Sequence, residues 1–483
     1  MENPLPFSFA RQHQLLLDQQ HSVIYSGPDT SASALMQLRR QLQSVPQVES
    51  LTKDEFEGKL REFYGSNHQG SASVMADLGD FADMESAARE VERDADLLDG
   101  TDDAPVIKLL NAIFLEALSE KASDIHIEPY EDSAAVRFRL DGVLRSVLNP
   151  SVHIAPLLVS RIKVMAKLDI AEKRLPQDGR MSVRLGGRAV DMRVSTLPSS
   201  YGERVVMRLL DKDATHLDLN DLGMDQTIRS DMEELVKRPH GIILVTGPTG
   251  SGKTTTLYAA LERMDRQLLN IMTVEDPIEY DLKGISQTQV NTRSGMTFAK
   301  GLRALLRQDP DVILIGEIRD KETAEIATQA SLTGHLVLST LHTNTALGAI
   351  TRLQDLGVDS FLLSSTIRGI LAQRLVRKLC DDCKEPISPS SLVQEKLGIK
   401  VDDVIYSAKG CKSCNQTGYT GRLGLFELVQ VDDSLQQMIH DKTSEGEMER
   451  YIRQQTPSII ESGYALVRQG KTSFEEVLRV TSI

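Results

Sequence analysis

Short apolar runs recur at regular spacing through the middle and later part of the chain: GIILVT at 241–246, NIMTVE at 270–275, VILIGE at 312–317 and LVLSTL at 336–341. Runs of this length are continuous where an exposed strand would alternate, so they predict strands covered on both faces. Helical stretches separate them. That rhythm predicts a largely parallel sheet flanked by helices over about 216–378. Further upstream the period changes to two. ASDIHIEPY and AAVRFRLDGVL alternate, with Asp141-Gly142 as a hairpin turn, and RAVDMRVSTLPS and RVVMRLLD predict two more strands. The amphipathic stretch PVIKLLNAIFLEALSEK opens at Pro105 and predicts a helix ahead of them, giving a second α/β domain over 104–215.

The first 70 residues form a smaller α/β pattern. LLLDQQHSVIYS has strand character, Leu35, Leu38 and Leu42 have helical spacing, and Thr52 with Glu55 makes a capping box for a second helix. Residues 71–103 are polar and then acidic, interrupted by Arg89 and Arg93, and are read as a linker. Residues 379–420 form a small lobe, and 421–483 are read as mainly helical, with Ser444 and Ser473 as N-caps.

At 483 residues the chain is too long for one hydrophobic core. It has no run near the ~18 apolar residues of a membrane span, and the start MENPLPFSFARQHQ lacks the charge-then-apolar order of a signal peptide. A cytoplasmic location is expected. The net charge of −14 weighs against a nucleic-acid motor, which needs a basic footprint, so no nucleic-acid partner is expected.

The candidate chemistry sits at the ends of the apolar runs. GIILVT leads into GPTGSGKT, the loop Gly247, Pro248, Thr249, Gly250, Ser251, Gly252, Lys253 and Thr254, with Thr255 opening a helix. Strand, glycine-rich loop and helix in that order make a Walker A motif: backbone N–H groups and the helix N-terminus face an anion. Lys253 is placed to reach the β/γ-phosphates, and the Thr254 hydroxyl to ligate Mg²⁺. A ligand-free Gly/Ser turn is the competing reading. VILIGE delivers Glu317 to a strand tip, a Walker B position. NIMTVEDPIEY delivers Glu275, Asp276 and Glu279, which suit metal-bound water or proton acceptance, although solvated acids at a turn fit the pattern too. His342 follows LVLSTL and His335 precedes it. A histidine at a strand tip is placed to sense a γ-phosphate, and a structural role fits equally well. Arg303 and Arg307, and Arg374, Arg377 and Lys378 in LAQRLVRKL, are read either as solvated faces near helix C-termini or as subunit contacts.

Four cysteines, Cys380, Cys383, Cys411 and Cys414, form two C-x-x-C pairs. That spacing predicts a closed tetrahedral zinc site of structural purpose, with two redox pairs as the alternative.

Taken in order, ASDIHIEP, RFRLDGVL, EKRLPQDGR, GERVVMRLL, GPTGSGKTTT, TVEDPIEY, LRQDPDVILIGEIRD, SLTGHLVLSTLHTN and the paired cysteines resemble the secretion ATPase superfamily that powers type II secretion and type IV pilus assembly. The resemblance covers about 100–483, and the short N-terminal domain is similar to that of the type II branch, pilus assembly ATPases usually carrying a longer one. It implies a RecA-like P-loop ATPase core preceded by two smaller α/β domains, a Cys₄ zinc lobe and a helical C-terminal region. It further implies a Mg²⁺-dependent ATP hydrolase working as a homohexamer at the inner membrane. The N-terminal domain would bind the cytoplasmic part of an inner-membrane secretion protein, and a platform protein would receive the motion. A type IV pilus assembly ATPase is the alternative. By the same resemblance Glu275 becomes the candidate general base, with Asp276 and Glu279 supporting it. Glu317 becomes the Walker B acid, and His335 and His342 a histidine box. Arg193 and Arg208, with Arg204 nearby, become arginines reaching the γ-phosphate.

Overall fold

The computed structural model describes residues 105–482 apart from 186–187, 212–217, 292–293 and 401–402. Within the first sixty residues it describes 10, 13–18, 23–28, 30, 35, 38, 47–53, 55, 56 and 59. The expected linker lies outside the described residues. The chain divides into two compact units, Met1–Asp213 and Ala214–Ile483.

In the first unit, β1 (Leu15–Asp18), β2 (Val23–Ser26) and β3 (Gln47–Ser50) form a small sheet around Leu15, Leu17 and Ile24. Thr52 and Glu55 make the expected capping box: the Glu55 carboxylate accepts from Thr52 N at 2.9 Å, and Thr52 Oγ1 accepts from Glu55 N at 3.4 Å. A second sheet follows α1 (Pro105–Ser119). It holds β4 (Asp124–Pro129), β5 (Ala134–Leu140), β6 (Val143–Leu148), β7 (Gln177–Leu185), β8 (Arg188–Ser199) and β9 (Gly202–Asp211), in the order β6-β5-β4-β9-β8-β7. Asp141 and Gly142 both take positive φ, the geometry that a two-residue hairpin matching strand twist requires. One face of this sheet is apolar and packs on α1 and α2 (Ile154–Met165) through Leu109, Ile113, Phe114, Leu158 and Ile162. Period-two alternation places the charged residues on the other face.

The second unit is built on one sheet. Its strands are β10 (Gly241–Thr246), β11 (Ile271–Glu275), β12 (Ser286–Gln289), β13 (Val312–Ile315), β14 (Leu336–Leu341), β15 (Ile367–Leu379) and, after the short pair β16 (Glu385–Ile387) and β17 (Ile405–Ser407), β18 (Tyr419–Gln430). The order is β12-β11-β13-β14-β10-β15-β18, parallel throughout except for β15 with β18. The continuous apolar runs behave as predicted: Ile242 and Leu244 of β10 join the core on one face, Ile243 and Val245 the core on the other. Each such fully buried side chain contributes about 1.5–3 kcal/mol. Helix α3 (Gln226–Leu235), capped by Asp225, and α4 (Lys253–Glu262) belong to one face. On the other lie α5 (Phe298–Leu305), α6 (Lys321–Leu332), α7 (Gly348–Asp355) and α8 (Ser360–Thr366). No helix among the described residues is long and apolar enough to cross a membrane.

The stretch 421–483 is mainly helical as expected, although it opens with most of β18 and its first helix begins at Asp433. One expectation gives way: LAQRLVRKL is not near a helix C-terminus but lies in β15, and Arg374 is buried. The apolar spacing of Leu371, Leu375 and Leu379 satisfies a helix as well as a strand buried on both faces, and only pairing with a segment some fifty residues away decides between them.

The C-terminal helix, Phe474–Thr481, is tied to β15 by one carboxylate. Glu476 is 2% exposed, accepts from Arg377 at 2.5 Å and from Arg479 at 2.8 Å, and Arg377 lies 4.0 Å over the Tyr419 ring. Burial opposes ionisation, but Arg479 and Arg377 outweigh it and hold the pKa at about 2. A depressed folded-state pKa means stability that is present above the unfolded carboxyl pKa and lost as pH falls toward 2. Urea unfolding at pH 7 and pH 3 is expected to show Glu476→Gln weaker than the parent by about 3 kcal/mol at pH 7, with much of that difference gone at pH 3.

Candidate functional site

The loop Gly247–Gly252 leaves the C-terminal end of β10 and turns into α4. Gly247 has φ +149, and a Cβ there would overlap the Gln373 carbonyl oxygen; Gly252 has φ +86 and lies against the Gln373 side chain. Neither position tolerates a side chain, so the backbone closes into a concave turn whose following helix has no side-chain cap. The uncapped N–H groups, and a buried Ser251 hydroxyl with no hydrogen-bond partner among the described residues, suit a bound phosphate. Lys253 is buried and donates back to the carbonyls of Gly247 at 2.7 Å and Pro248 at 3.0 Å. Desolvation lowers its pKa to about 8, with Glu317 opposing and Arg374 reinforcing. A polyanion would restore its charge.

Because the strands are parallel, Glu275, Glu317 and His342 arrive at the same sheet edge as the loop. Glu317 is 9% exposed, pairs with Arg319 at 2.5 Å and lies 3.4 Å from His342 Nε2. Desolvation, and then the Lys253 charge, lower the His342 pKa, so neutral imidazole is favoured there. Glu275, 2% exposed, accepts from the Tyr258 hydroxyl, from Thr273 Oγ1 at 2.6 Å and from Gln287 Nε2 at 3.2 Å. Desolvation raises its pKa even against those three donors. Asp276 bears on Arg319, and the Glu279 backbone donates to the Tyr258 oxygen at 3.4 Å. His335 is the exception. It precedes β14, at the opposite sheet edge, where Nδ1 lies 2.8 Å from the Ala330 carbonyl oxygen, and the chain does not bring it to the loop.

Sequence reasoning missed Tyr258, Gln287, Gln373 and the burial of Arg374. Tyr258 and Gln287 hold Glu275, while Gln373 backs the loop and accepts from Thr256 Oγ1 at 2.8 Å. Tyr258, at the fifth helical position after Lys253, was the one legible signal: a phenol on the buried face of α4 needs a polar partner.

In the first unit the three arginines singled out by sequence lie on neighbouring strands. The pairings Arg180–Arg193, Arg193–Arg208, Arg208–Asp124 and Asp124–Arg139 make one continuous row across β7, β8, β9, β4 and β5. Directly paired residues share a face. The row therefore carries four guanidinium groups against one carboxylate, Asp124, which accepts from Arg208 at 2.9 Å. Arg204 donates to the buried Glu128 at 2.5 Å, which also pairs with Arg137.

The sulfur atoms of Cys380, Cys383, Cys411 and Cys414 all lie within 4.8 Å of one another. Neighbouring separations of 3.9, 3.8 and 3.7 Å rule out disulfide bonds in this arrangement and match the ~3.8 Å edge of a tetrahedron with Zn–S bonds of about 2.3 Å. Burial opposes ionisation of Cys414, yet N–H donation from Cys411 and Gly418 pulls its thiol down to about 6. The cluster fits a thiophilic cation.

The family model for type II/IV secretion system proteins matches residues 99–479, and that for an N-terminal domain of general secretory pathway protein E matches 4–64. The chain is 57% identical over 485 residues to the type II secretion system ATPase E of Vibrio cholerae, covering 99% of this chain and 96% of that one. Among solved structures, the pilus retraction motor PilT with bound ADP matches with TM-score 0.53 and 28% identity over 77% of this chain and 96% of PilT. The ATPase DotB of Legionella pneumophila matches with TM-score 0.57 and 21% identity over 81% of this chain and 97% of DotB, which shows the shared RecA-like fold.

Proposed function

This chain belongs to the type II/IV secretion system protein family, and on that premise we infer that it is the cytoplasmic ATPase of a type II secretion system, driving pseudopilus assembly and protein export across the outer membrane. It is an ATP hydrolase. The observation that carries the reading is the joint placement of an open phosphate loop, Lys253, Glu275 and Glu317 at one sheet edge. PilT, built on the same core, holds ADP.

The roles proposed rest on the family resemblance together with where these side chains lie. The loop N–H groups and Lys253 bind the β/γ-phosphates. The Thr254 hydroxyl would hold the divalent cation together with Glu317, which Arg319 fixes. Bound Mg²⁺ would supply neutralisation of phosphate charge. Glu275 takes the proton of the attacking water, its raised pKa making it a better acceptor than an ordinary carboxylate. His342, held neutral, senses the γ-phosphate. Arg193 and Arg208, with Arg204, supply further positive charge when a hexamer closes, Asp124 and Glu128 fixing Arg208 and Arg204. The N-terminal domain gives the motor its recruitment surface, binding the cytoplasmic part of an inner-membrane partner. The domain boundaries proposed are 1–70, 71–103, 104–215, 216–378, 379–420 and 421–483.

Phosphate release from purified full-length protein tests the activity. Turnover requiring Mg²⁺ and unchanged by added DNA or RNA is expected. Strong stimulation by nucleic acid would replace this reading with a translocase.

The four thiolates would hold a zinc ion with no position left open for chemistry, and the metal would then hold the small lobe together. Cys380→Ser is expected to lower bound zinc below one per chain and to expose the lobe to limited proteolysis. Wild-type protein free of zinc yet equally resistant would contradict the assignment.

A further inference from the structure

Strand β15 runs past the phosphate loop, and two of its residues are packed against it. The register Thr246–Ala372 ends where the loop begins, so Gln373 and Arg374 lie beside Gly247 and Gly252. Gln373, 2% exposed, presents its carbonyl to Gly247 and takes the Thr256 hydroxyl with its side chain. Arg374, 4% exposed, donates to the Gln373 carbonyl at 3.1 Å and to the Asn344 carbonyl at 2.7 Å. Asn344 belongs to the loop that carries His342, and that loop is also joined to the end of β10 by the 2.6 Å contact between the Thr246 and Thr343 hydroxyls. One guanidinium, packed 3.2 Å from where a Cβ on Gly247 would sit, thus links β15 beside the phosphate loop to the His342 loop.

Its charge is the informative part. Among the described residues no carboxylate forms an ion pair with Arg374. Glu427, whose charge bears on it, is claimed by Arg453 at 2.6 Å and by the Ile459 N–H at 2.9 Å. A buried cation held by carbonyl oxygens alone is costly unless an anion arrives. Purely structural support of the loop needs no charge, and a neutral side chain would serve.

We propose that Arg374 is a further positioning residue of the nucleotide site, setting the loop's shape while directing a fixed positive charge at the bound phosphates. This rests on the ATP-binding reading. The two fail differently: wild-type protein that does not bind ATP defeats that reading, whereas normal wild-type binding with an unaffected variant defeats only this inference.

The test is equilibrium binding of Mg-ATP and Mg-ADP to full-length wild type, Arg374→Gln and Arg374→Lys, with thermal unfolding alongside. Because the interaction scales with ligand charge, Arg374→Gln is expected to weaken ATP about tenfold and ADP about threefold. Arg374→Lys, which keeps the charge, is expected to stay within about threefold of wild type for ATP. Equal losses for ATP and ADP, or a lysine variant as weak as the glutamine one, would overturn the proposal. Should Arg374→Gln fail to fold, the lysine variant decides alone: ATP affinity within about threefold of wild type supports the charge role, and any larger loss overturns it.

Discussion

Replacing Lys253 with alanine is expected to abolish ATP turnover, with a fall of at least about 10³-fold and weakened binding of the triphosphate. The lysine is 8% exposed and rests on the Gly247 and Pro248 carbonyls, so it is already inside the cradle when phosphate enters. Removing it deletes a positive charge inside the loop and leaves those two carbonyls facing a polyanion. Steady-state phosphate release together with ATP binding measures both effects. Binding should suffer less than turnover, because charge on the phosphoryl oxygens is most in need of stabilisation during transfer.

Changing Glu275 to glutamine should leave ATP bound but reduce turnover by about 10²–10⁴-fold, since an amide accepts no proton from the attacking water. The substitution is conservative in shape: the amide oxygen can accept from the hydroxyl on one side, Tyr258 or Thr273, and the amide N–H can donate to the hydroxyl oxygen on the other. It also predicts a pH signature. The base works ionised, and burial raises its pKa from the ordinary carboxylate value, so wild-type kcat should rise with pH through a midpoint above 4.5. A Glu275→Gln enzyme with normal turnover would move the base role to Glu317, whose carboxylate lies between Arg319 and His342.

What the sequence made legible was local. The phosphate loop was readable because strand, glycines, lysine and helix are contiguous, and the hairpin at Asp141-Gly142 because turn chemistry is a two-residue matter. The cysteine set was readable because C-x-x-C spacing limits the partners. What stayed hidden depended on distant pairing. Gln373 carried no signal, and Arg374 stood open between a solvated face and a subunit contact, because nothing in LAQRLVRKL says that β10 and β18 flank it. The resemblance groups His335 and His342 as one histidine box, but a six-residue strand lies between them and puts them at its opposite ends. The three donors that hold Glu275 come from α4, β11 and β12, and no window of sequence joins them.

The central claim is tested most directly in the host strain carrying Lys253→Ala as its only copy, with periplasmic exoproteins and surface pili assayed side by side. Exoproteins trapped in the periplasm while pili remain normal is the predicted result. Lost pili with normal secretion would contradict the type II assignment and make this motor one of pilus assembly.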